Sequence, residues 1–576
     1  MEGDHFTFEN SVQNNEEHVL FESRKYNFIV DATSNQGSFT GGQIQFVLDT
    51  LNSQSQWVDL REAVVEFPIK ITAQLTQAAA ASGGSITTNP SCGINSTVIK
   101  NGFHQWFDGA QLIVNGQTIQ SLQQYENVAA SFRILSSWSQ DNLKKWGSTC
   151  GIALDDMTGD STGTTSALDK VGLNNAATAT VMNTPKGFDA VNNQASLANR
   201  GVVARTKLCN TEMTTSNVAG TIIGTTGLTV SGISNVAGTS SNTATTYLYS
   251  QFIMGTVRLR DLFDINEFPM VKNIRGFLYL NFNSFQVALT SSTGTQTAAT
   301  IGSMSLTPLT GRSCPFLIND SPSGSGVVYG TASTTNMSTP SIITIVGNVN
   351  GQGGVTTGAV GSSAPLLTQA RLVAPFYVAN PRVDAALTKH NHKFSTYEKI
   401  VNPITCPKNQ TINYIITVGV PNPRKLVLLP MWANLGSTTN LGSPEYSPFD
   451  TVPATSGPYA YLNQLQVYVA NKPLFQYPIN YDFEMWQSEI ASNGLHGNVC
   501  DEMTSGLLTQ QLWQENHRYY TIDLERRTDS EDGAAKSVQV SFTNPSTGYD
   551  LRVIAMVFYE KRWEIDTDIC RIASRA

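Results

Sequence analysis

Charge is what this sequence has least of. Of its 576 residues, 36 are Lys or Arg and 44 are Asp or Glu, so 14% are charged, against roughly 25% in an ordinary soluble domain. The deficit is local. Residues 213–257, 276–311 and 321–370 carry no Asp, Glu, Lys or Arg at all, and Thr, Ser, Gly, Asn and Ala fill them. A disordered chain would combine low hydrophobicity with high net charge; here 40% of residues are hydrophobic and the net charge is −8. Long apolar runs are also missing, since no window approaches the roughly 18 uninterrupted apolar residues of a membrane-spanning helix. The opening Met1-Glu2-Gly3-Asp4-His5 has neither the basic region nor the apolar core of a secretory signal.

Basic clusters are absent at both ends. The first 30 residues hold six acids and two bases, which excludes the Lys/Arg arm that binds nucleic acid by counterion release. At the other end Lys561, Arg562, Arg571 and Arg575 are interleaved with Glu560, Glu564, Asp566 and Asp568, a balanced solvated edge and no strong direct nucleic-acid site. Cysteine is sparse: Cys92, Cys150, Cys209, Cys314, Cys406, Cys500 and Cys570, with no Cys-x-x-Cys. That spacing excludes zinc knuckles and redox pairs. An odd, scattered set fits reduced thiols made in a cytosol-like compartment and buried as small hydrophobes.

What is present is strand. Residues 24–30 and 43–49 are rich in β-branched and aromatic side chains, and Ile44, Phe46 and Leu48 alternate with Gln45, Val47 and Asp49. Similar runs fall at 62–73, 111–119, 252–262, 274–283, 370–378, 411–418, 424–432, 465–470, 518–525, 536–543 and 551–560. Two segments have helical spacing. One is 125–146, with Val128, Phe132, Leu135, Trp138, Leu143 and Trp146 and a stop at Gly147; the other is 481–493, with Phe483, Trp486 and Ile490. Many strands with two isolated helices predict sandwiches and not alternating β-α units.

The two halves repeat each other in order. Gln43–Asp49 with 62–71 matches Thr411–Thr417 with 425–432. Gln111–Ile119 matches Gln466–Leu474, each followed by a Tyr (Tyr125, Tyr481) that opens a helix. Val257–Leu262 followed by 271–283 matches Ile522–Arg527 followed by 535–544, and Ala370–Tyr377 matches Leu551–Tyr559. The chain therefore divides at Asn380-Pro381-Arg382 into a first copy, 1–380, and a compact second copy, 381–576. The first is enlarged by insertions at 75–98, 148–246 and 284–369, which hold nearly all the uncharged sequence. Loops this long are usually functional surface elaborations or disorder; the apolar islands Val218–Val230 and Ile342–Val349 predict that these loops carry short strands of their own.

Catalytic signals are thin. His390 and His392 share one side of a strand but lack the third ligand of a catalytic zinc site. Asp155-Asp156, and Glu525 with Asp529, Glu531 and Asp532, could supply the carboxylate pair of a glycosidase, yet Arg526 and Arg527 beside the second group favour ion pairs. Ser323-Gly324-Ser325-Gly326 is a turn and not a nucleophile elbow. Gly351-Gln352-Gly353-Gly354 neither follows a clear strand nor opens a helix, so it is no phosphate loop. Trp486, Trp513, Tyr519, Tyr520, Phe542, Phe558, Tyr559 and Trp563 crowd the second copy, where core packing competes with a glycan platform. The sequons at Asn95 and Asn409 are too common to use alone. No catalytic, cofactor-binding or metal residue is assigned and no cofactor is implied; binding or assembly is left.

Asn101–Thr118 with the following helix to 141–147, and Thr504–Trp513 running on through Tyr519–Arg527 to Lys536–Val540, resemble the major capsid proteins of small eukaryotic DNA viruses of the polinton-like virus and virophage type. The resemblance covers more than half of the chain and skips the insertions; the 148–246 insertion matches nothing in it. It implies an all-β fold of two tandem eight-stranded jelly rolls (a double jelly roll), with long loop insertions and one helix per roll. It also implies a homotrimeric capsomer with six near-equivalent corners, contacts with neighbouring capsomers, and penton and minor or cement proteins as further partners. The setting would be the capsid of a virion, made in the host cell without a secretion signal, and the loops would be candidates for meeting a host surface receptor. A shell of this kind does without a basic arm. The competing expectation is a glycan-binding viral fibre, spike or lectin-like surface protein, and a third is a glycosidase or lyase on a β-sandwich.

Overall fold

The structure is a computed structural model. It describes residues 21–30, 42–52, 56–77, 97–155, 245–282, 285–291, 299–306, 315–318, 342–349, 370–387, 391–433, 460–492, 506–515, 517–525, 534–547, 550–567 and 569–575, with a few positions between 201 and 231. The acidic residues before 21, Asp156, the glycine-rich turns at 323–326 and 351–354, His390, Asn95, and Asp529 to Asp532 lie outside the described residues.

Eight strands make the first roll: β1 (Phe21–Val30), β2 (Gln43–Val47), β3 (Val64–Gln77), β4 (Phe107–Val114), β5 (Gln117–Gln120), β6 (Thr245–Arg258), β7 (Gly276–Phe282) and, after the strands of the 284–369 insertion, β11 (Arg371–Ala379). Eight more make the second: β12 (Asn391–Cys406), β13 (Thr411–Val420), β14 (Pro423–Ala433), β15 (Asn463–Val469), β16 (Lys472–Pro473), β17 (Tyr520–Asp523), β18 (Lys536–Thr543) and β19 (Asp550–Asp566). Counting strands along each roll, both are wired identically. One sheet runs first–eighth–third–sixth (β1-β11-β3-β6; β12-β19-β14-β17), and the other second–seventh–fourth–fifth (β2-β7-β4-β5; β13-β18-β15-β16). That is the jelly-roll order twice, so the chain is a double jelly roll. Alternation drives the pairing of the sheets: Ile44 and Phe46 are buried between half-buried Gln43, Gln45 and Val47, and Val538, Val540 and Phe542 are buried between Ser537, Gln539 and Ser541.

The duplication holds at the level of single residues. Ile44 lies opposite Leu280 as Ile412 lies opposite Phe542. Val257 pairs with Val65 as Ile522 pairs with Leu426, and two residues further on Leu259 and Leu524 donate their backbone N–H to the carbonyls of Ala63 and Arg424. Asn115-Gly116 and Ala470-Asn471 both form two-residue hairpin turns with positive φ throughout. The eighth strands are equivalent in a different register from the sequence match. Leu372 faces Val65 where Val557 faces Leu426, four residues beyond Val553. β19 is longer than β11, and strand composition alone does not fix a register.

The elements depart from expectation in several places, among them 259–262, a helical turn where a strand was expected. The helix expected over 125–146 is two, α1 (Glu126–Ser137) and α2 (Gln140–Cys150). The Trp138 indole donates to Asp261 Oδ1 at 3.1 Å, which pulls the chain into extended backbone, and Ser139 then caps α2 through the N–H of Asn142. α2 runs through Gly147 and ends at Gly151, in the left-handed conformation at φ 67°. The sixteen-residue β12 had no strand signal, and α3 (Pro381–Leu387) and α5 (Gln510–Glu515) had no helical one; the expected second helix is α4 (Phe483–Ser492). Within the 284–369 insertion, β8 (Phe285–Ser291), β9 (Ala299–Leu306) and β10 (Ile342–Val349) extend the sheet of β3, with β10 pairing along 69–76.

Candidate assembly surface

The two rolls exchange core residues. α1 follows the fifth strand of the first roll, yet Val128, Ala129, Phe132 and Leu135 pack in the core of the second. The Phe132 ring sits 5.5 Å from that of Tyr519 and 6.4 Å from that of Phe558. In the opposite direction, Phe394 at the start of β12, Trp563 and Ile565 at the end of β19, and Cys570 and Ile572 in the C-terminal hairpin pack in the core of the first roll. β19 therefore spans both cores, with Leu551 to Phe558 in one and Trp563 and Ile565 in the other. Backbone groups stitch the same seam: Lys272 N–H donates to Thr567 O at 2.9 Å and Leu507 N–H to Leu135 O at 2.8 Å.

Buried charges lie along this seam. Glu126, fully buried, accepts from Arg133 Nη1 at 2.7 Å on its own helix and from Lys399 Nζ on β12. Burial alone would push the Glu126 carboxyl up, but the Lys399 and Arg133 charges hold it below the usual range. Gln120 of β5 also donates to Glu126 Oε2 at 3.1 Å, so α1, β5 and β12 meet at one carboxylate, and Arg133 reaches on to Leu262 O at 2.6 Å. Glu398, on the other side of β12, accepts from Ser121 N–H at 2.9 Å and from Lys561. Asp264 is buried with Oδ2 unpaired, and burial pushes its carboxyl up to about 7 despite Arg133 nearby. None of this was legible in the sequence, because partners such as Glu126 and Lys399 lie 273 positions apart.

The chemical candidates are dispersed. Asp155 is fully buried against Arg205, far from a role as a solvent-facing acid, and its carbonyl meets His517 Nε2 at 3.2 Å. Glu525 pairs with Arg424, which also donates through Nε to Glu560 at 2.9 Å. Among the described residues no three His, Cys, Asp or Glu side chains are grouped to hold a metal, and no helix is long and apolar enough to cross a membrane. Trp486, Trp513, Tyr519, Tyr520, Phe542, Phe558 and Trp563 are all buried, so they pack cores and present no glycan platform. Half-buried Tyr559 donates its hydroxyl to Glu398. Cys150, Cys406 and Cys570 are free and buried, and burial pushes the Cys150 and Cys570 thiols up to about 12.

An open cleft of about 680 Å³ lies at the end of the first roll's second sheet, lined by Asp49, Asn52, Asn115, Arg275, Phe277 and Ile569. Its polar groups are engaged in the fold: Asp49 accepts from Gly276 N–H at 3.0 Å, and Asn115 accepts from Arg275 N–H at 3.0 Å and donates to Cys570 O. The remaining surface has large exposed apolar side chains on edge strands, Tyr26 and Phe28 on β1 and Ile415 and Val418 on β13. A surface of this kind suits contact between proteins more than chemistry on a small molecule.

No protein-family model and no curated protein matches the chain. Among solved structures, it is similar to the 3.5 Å cryo-EM structure of the Sputnik virophage at 12% identity and a TM-score of 0.49, covering 98% of this chain and 91% of that one. It is similar to the mavirus major capsid protein at 10% identity and 0.44, covering 97% and 93%. The Faustovirus major capsid protein matches at 10% identity and 0.40, covering 95% and 92%.

Proposed function

We propose that this chain is the major capsid protein of a DNA virus and acts by self-assembly. The observation that carries the reading is the identical jelly-roll wiring of two halves in one chain, joined by exchanged core residues. A doubled roll lets three chains form a block with six near-equivalent corners, which tiles a hexagonal lattice, and closed symmetry stabilises such a trimer. Trimers then meet neighbouring capsomers, and penton and minor or cement proteins complete an icosahedral shell. The chain works in two parts, 1–380 with its insertions and 381–576, and its place is the capsid of the virion. The lack of a basic cluster fits a shell that leaves the genome's charge to other partners. The long uncharged loops of the first part are its candidates for meeting a host receptor.

Negative-stain electron microscopy of the purified protein tests this. Particles with a hexagonal outline, or closed shells, are expected. A monomer of 62.4 kDa at every salt and protein concentration overturns it.

A further inference from the structure

The two kinds of sheet in this molecule differ sharply in charge. The eight strands of the two second–seventh–fourth–fifth sheets (β2, β4, β5, β7, β13, β15, β16 and β18) contain three charged residues, Asp108, Lys472 and Lys536. Asp108 and Lys536 are buried, which leaves Lys472, at a hairpin turn, as the one exposed charge of these strands. In the opposite sheets, β19 alone carries seven charged residues.

In the second roll, the outward face of this neutral sheet presents Thr411, Asn413 and Ile415 beside Gln539, Ser541 and Thr543, and these side chains bond one another: Gln539 to Asn413, and Thr411 Oγ1 to Thr543 Oγ1 at 2.7 Å. β13 closes the sheet as a ten-residue edge strand whose ladder partner among the described residues is β18; its register shifts between Ile415 and Thr417 and between Thr417 and Val420, Asn402 of β12 donates its side-chain amide to Ile416 O, and it has no charge, no Pro and three exposed apolar side chains, Tyr414 at 37%, Ile415 at 56% and Val418 at 85%. Charged side chains and Pro on an edge strand ordinarily keep other chains away from it; β13 has neither, so although its bulges interrupt the backbone ladder, its exposed side chains stay neutral and apolar. β1, the other edge with exposed aromatics, is blunted in that way. It carries Glu22, Arg24 and Lys25, the Arg24 guanidinium lies 5.1 Å from the centre of the Tyr26 ring, and Arg371 lies 4.9 Å from that of Phe28.

We infer that the neutral face and edge-strand side chains of the second roll, centred on Ile415 and Val418, form a contact surface for a second copy of this chain. The occupant follows from charge. Each copy carries −8, so two copies repel except where both surfaces are neutral, and this chain owns such a surface twice. Half-buried Gln43, Gln45, Val47, Gln111, Phe277 and Tyr279 give the first roll a face of the same amide and apolar chemistry. This rests on the self-assembly reading and names where the assembly makes contact.

Sedimentation velocity of the full chain over a concentration series tests it, with V418D and I415K as variants and Y477D as a control. Tyr477 is 72% exposed and lies outside these strands. Ile415 and Val418 are already solvent-exposed, so the variants are expected to keep the wild-type unfolding midpoint. They are expected to weaken self-association by about tenfold or more, since each buries an unpaired charge at a contact, while Y477D associates like wild type. Hydrogen exchange gives a second readout: amides 411–420 become protected as wild type associates. Wild type that assembles while V418D and I415K assemble equally well, with 411–420 unprotected, overturns the surface and leaves self-assembly standing. A wild type that stays monomeric overturns both.

Discussion

Glu126 is wholly buried and meets one cation from its own helix and one from the other roll. Removing one partner from such a site costs about 3–5 kcal/mol, because an unpaired charge is left in a dry interior. Glu126→Gln is therefore expected to lower the free energy of unfolding by that amount in a denaturant titration. Adding Lys399→Met should recover part of the loss, since one of the two stranded cations goes with it. Asp264 behaves in the opposite sense. Its pKa is raised from 3.8 to about 7 by burial, with Arg133, Lys425 and Glu267 as the charged groups around it. The folded protein then holds a proton that the unfolded chain releases, so this residue's contribution to stability falls as pH rises from about 4 to about 7 and is constant above. Asp264→Asn removes that slope, so the variant's unfolding midpoint should rise relative to wild type's between pH 4.5 and pH 7, whatever slope buried His104, whose pKa burial lowers to about 4, gives to both. A slope unchanged by the substitution would show that Asp264 is not its source. Sequence reading could not reach these residues. A buried Lys or Glu looks like a surface one until its partner, hundreds of positions away, is known.

α1 and β12 show what the chain's pattern does and does not reveal. The apolar spacing of Val128, Phe132 and Leu135 is plain in the sequence, but nothing there says which core receives them. The helix is buried on more than one side, with Ala130 in the first core and Phe132 in the second. Phe132→Ala should cost about 3–5 kcal/mol as a cavity between Tyr519 and Phe558. Near-ultraviolet circular dichroism should register the loss in the tyrosine band, because Tyr519 of the second roll packs on Phe132 although Phe132 belongs to the first half of the sequence; an unchanged tyrosine band would contradict this packing. β12 was hidden for a related reason. Its inward positions include Thr396 and Glu398, both buried, and Pro403 interrupts it, so period-two hydrophobicity fades although the strand pairs with β19 from Asn391 to Cys406. The strands whose alternation is clean, such as Gln43–Val47 and Lys536–Thr543, are the ones the sequence delineates well.

At the scale of the molecule, the repeat in the sequence becomes a repeat of topology; the duplication was readable because strand order and helix position recur together, while the jelly-roll form of each copy was an expectation from the family resemblance. The exchange across the seam was not readable, and it changes what the halves are. Residues 1–380 lack Phe394, Trp563, Ile565 and Ile572 from their own core, and residues 381–576 lack Val128, Phe132 and Leu135 from theirs. Expressed separately, each half should expose apolar surface and bind a hydrophobic dye, whereas the full chain should unfold in one cooperative transition; two halves that each fold with full tertiary signals would refute this. Such coupling suits a building block whose two rolls must hold one orientation through assembly. The central claim is that this doubled unit exists to assemble, and the native mass of the purified full-length chain tests it most directly. Mass photometry across protein and salt concentrations should find a species of three times 62.4 kDa, with larger assemblies as concentration rises. A single species of 62.4 kDa under all of these conditions would contradict it.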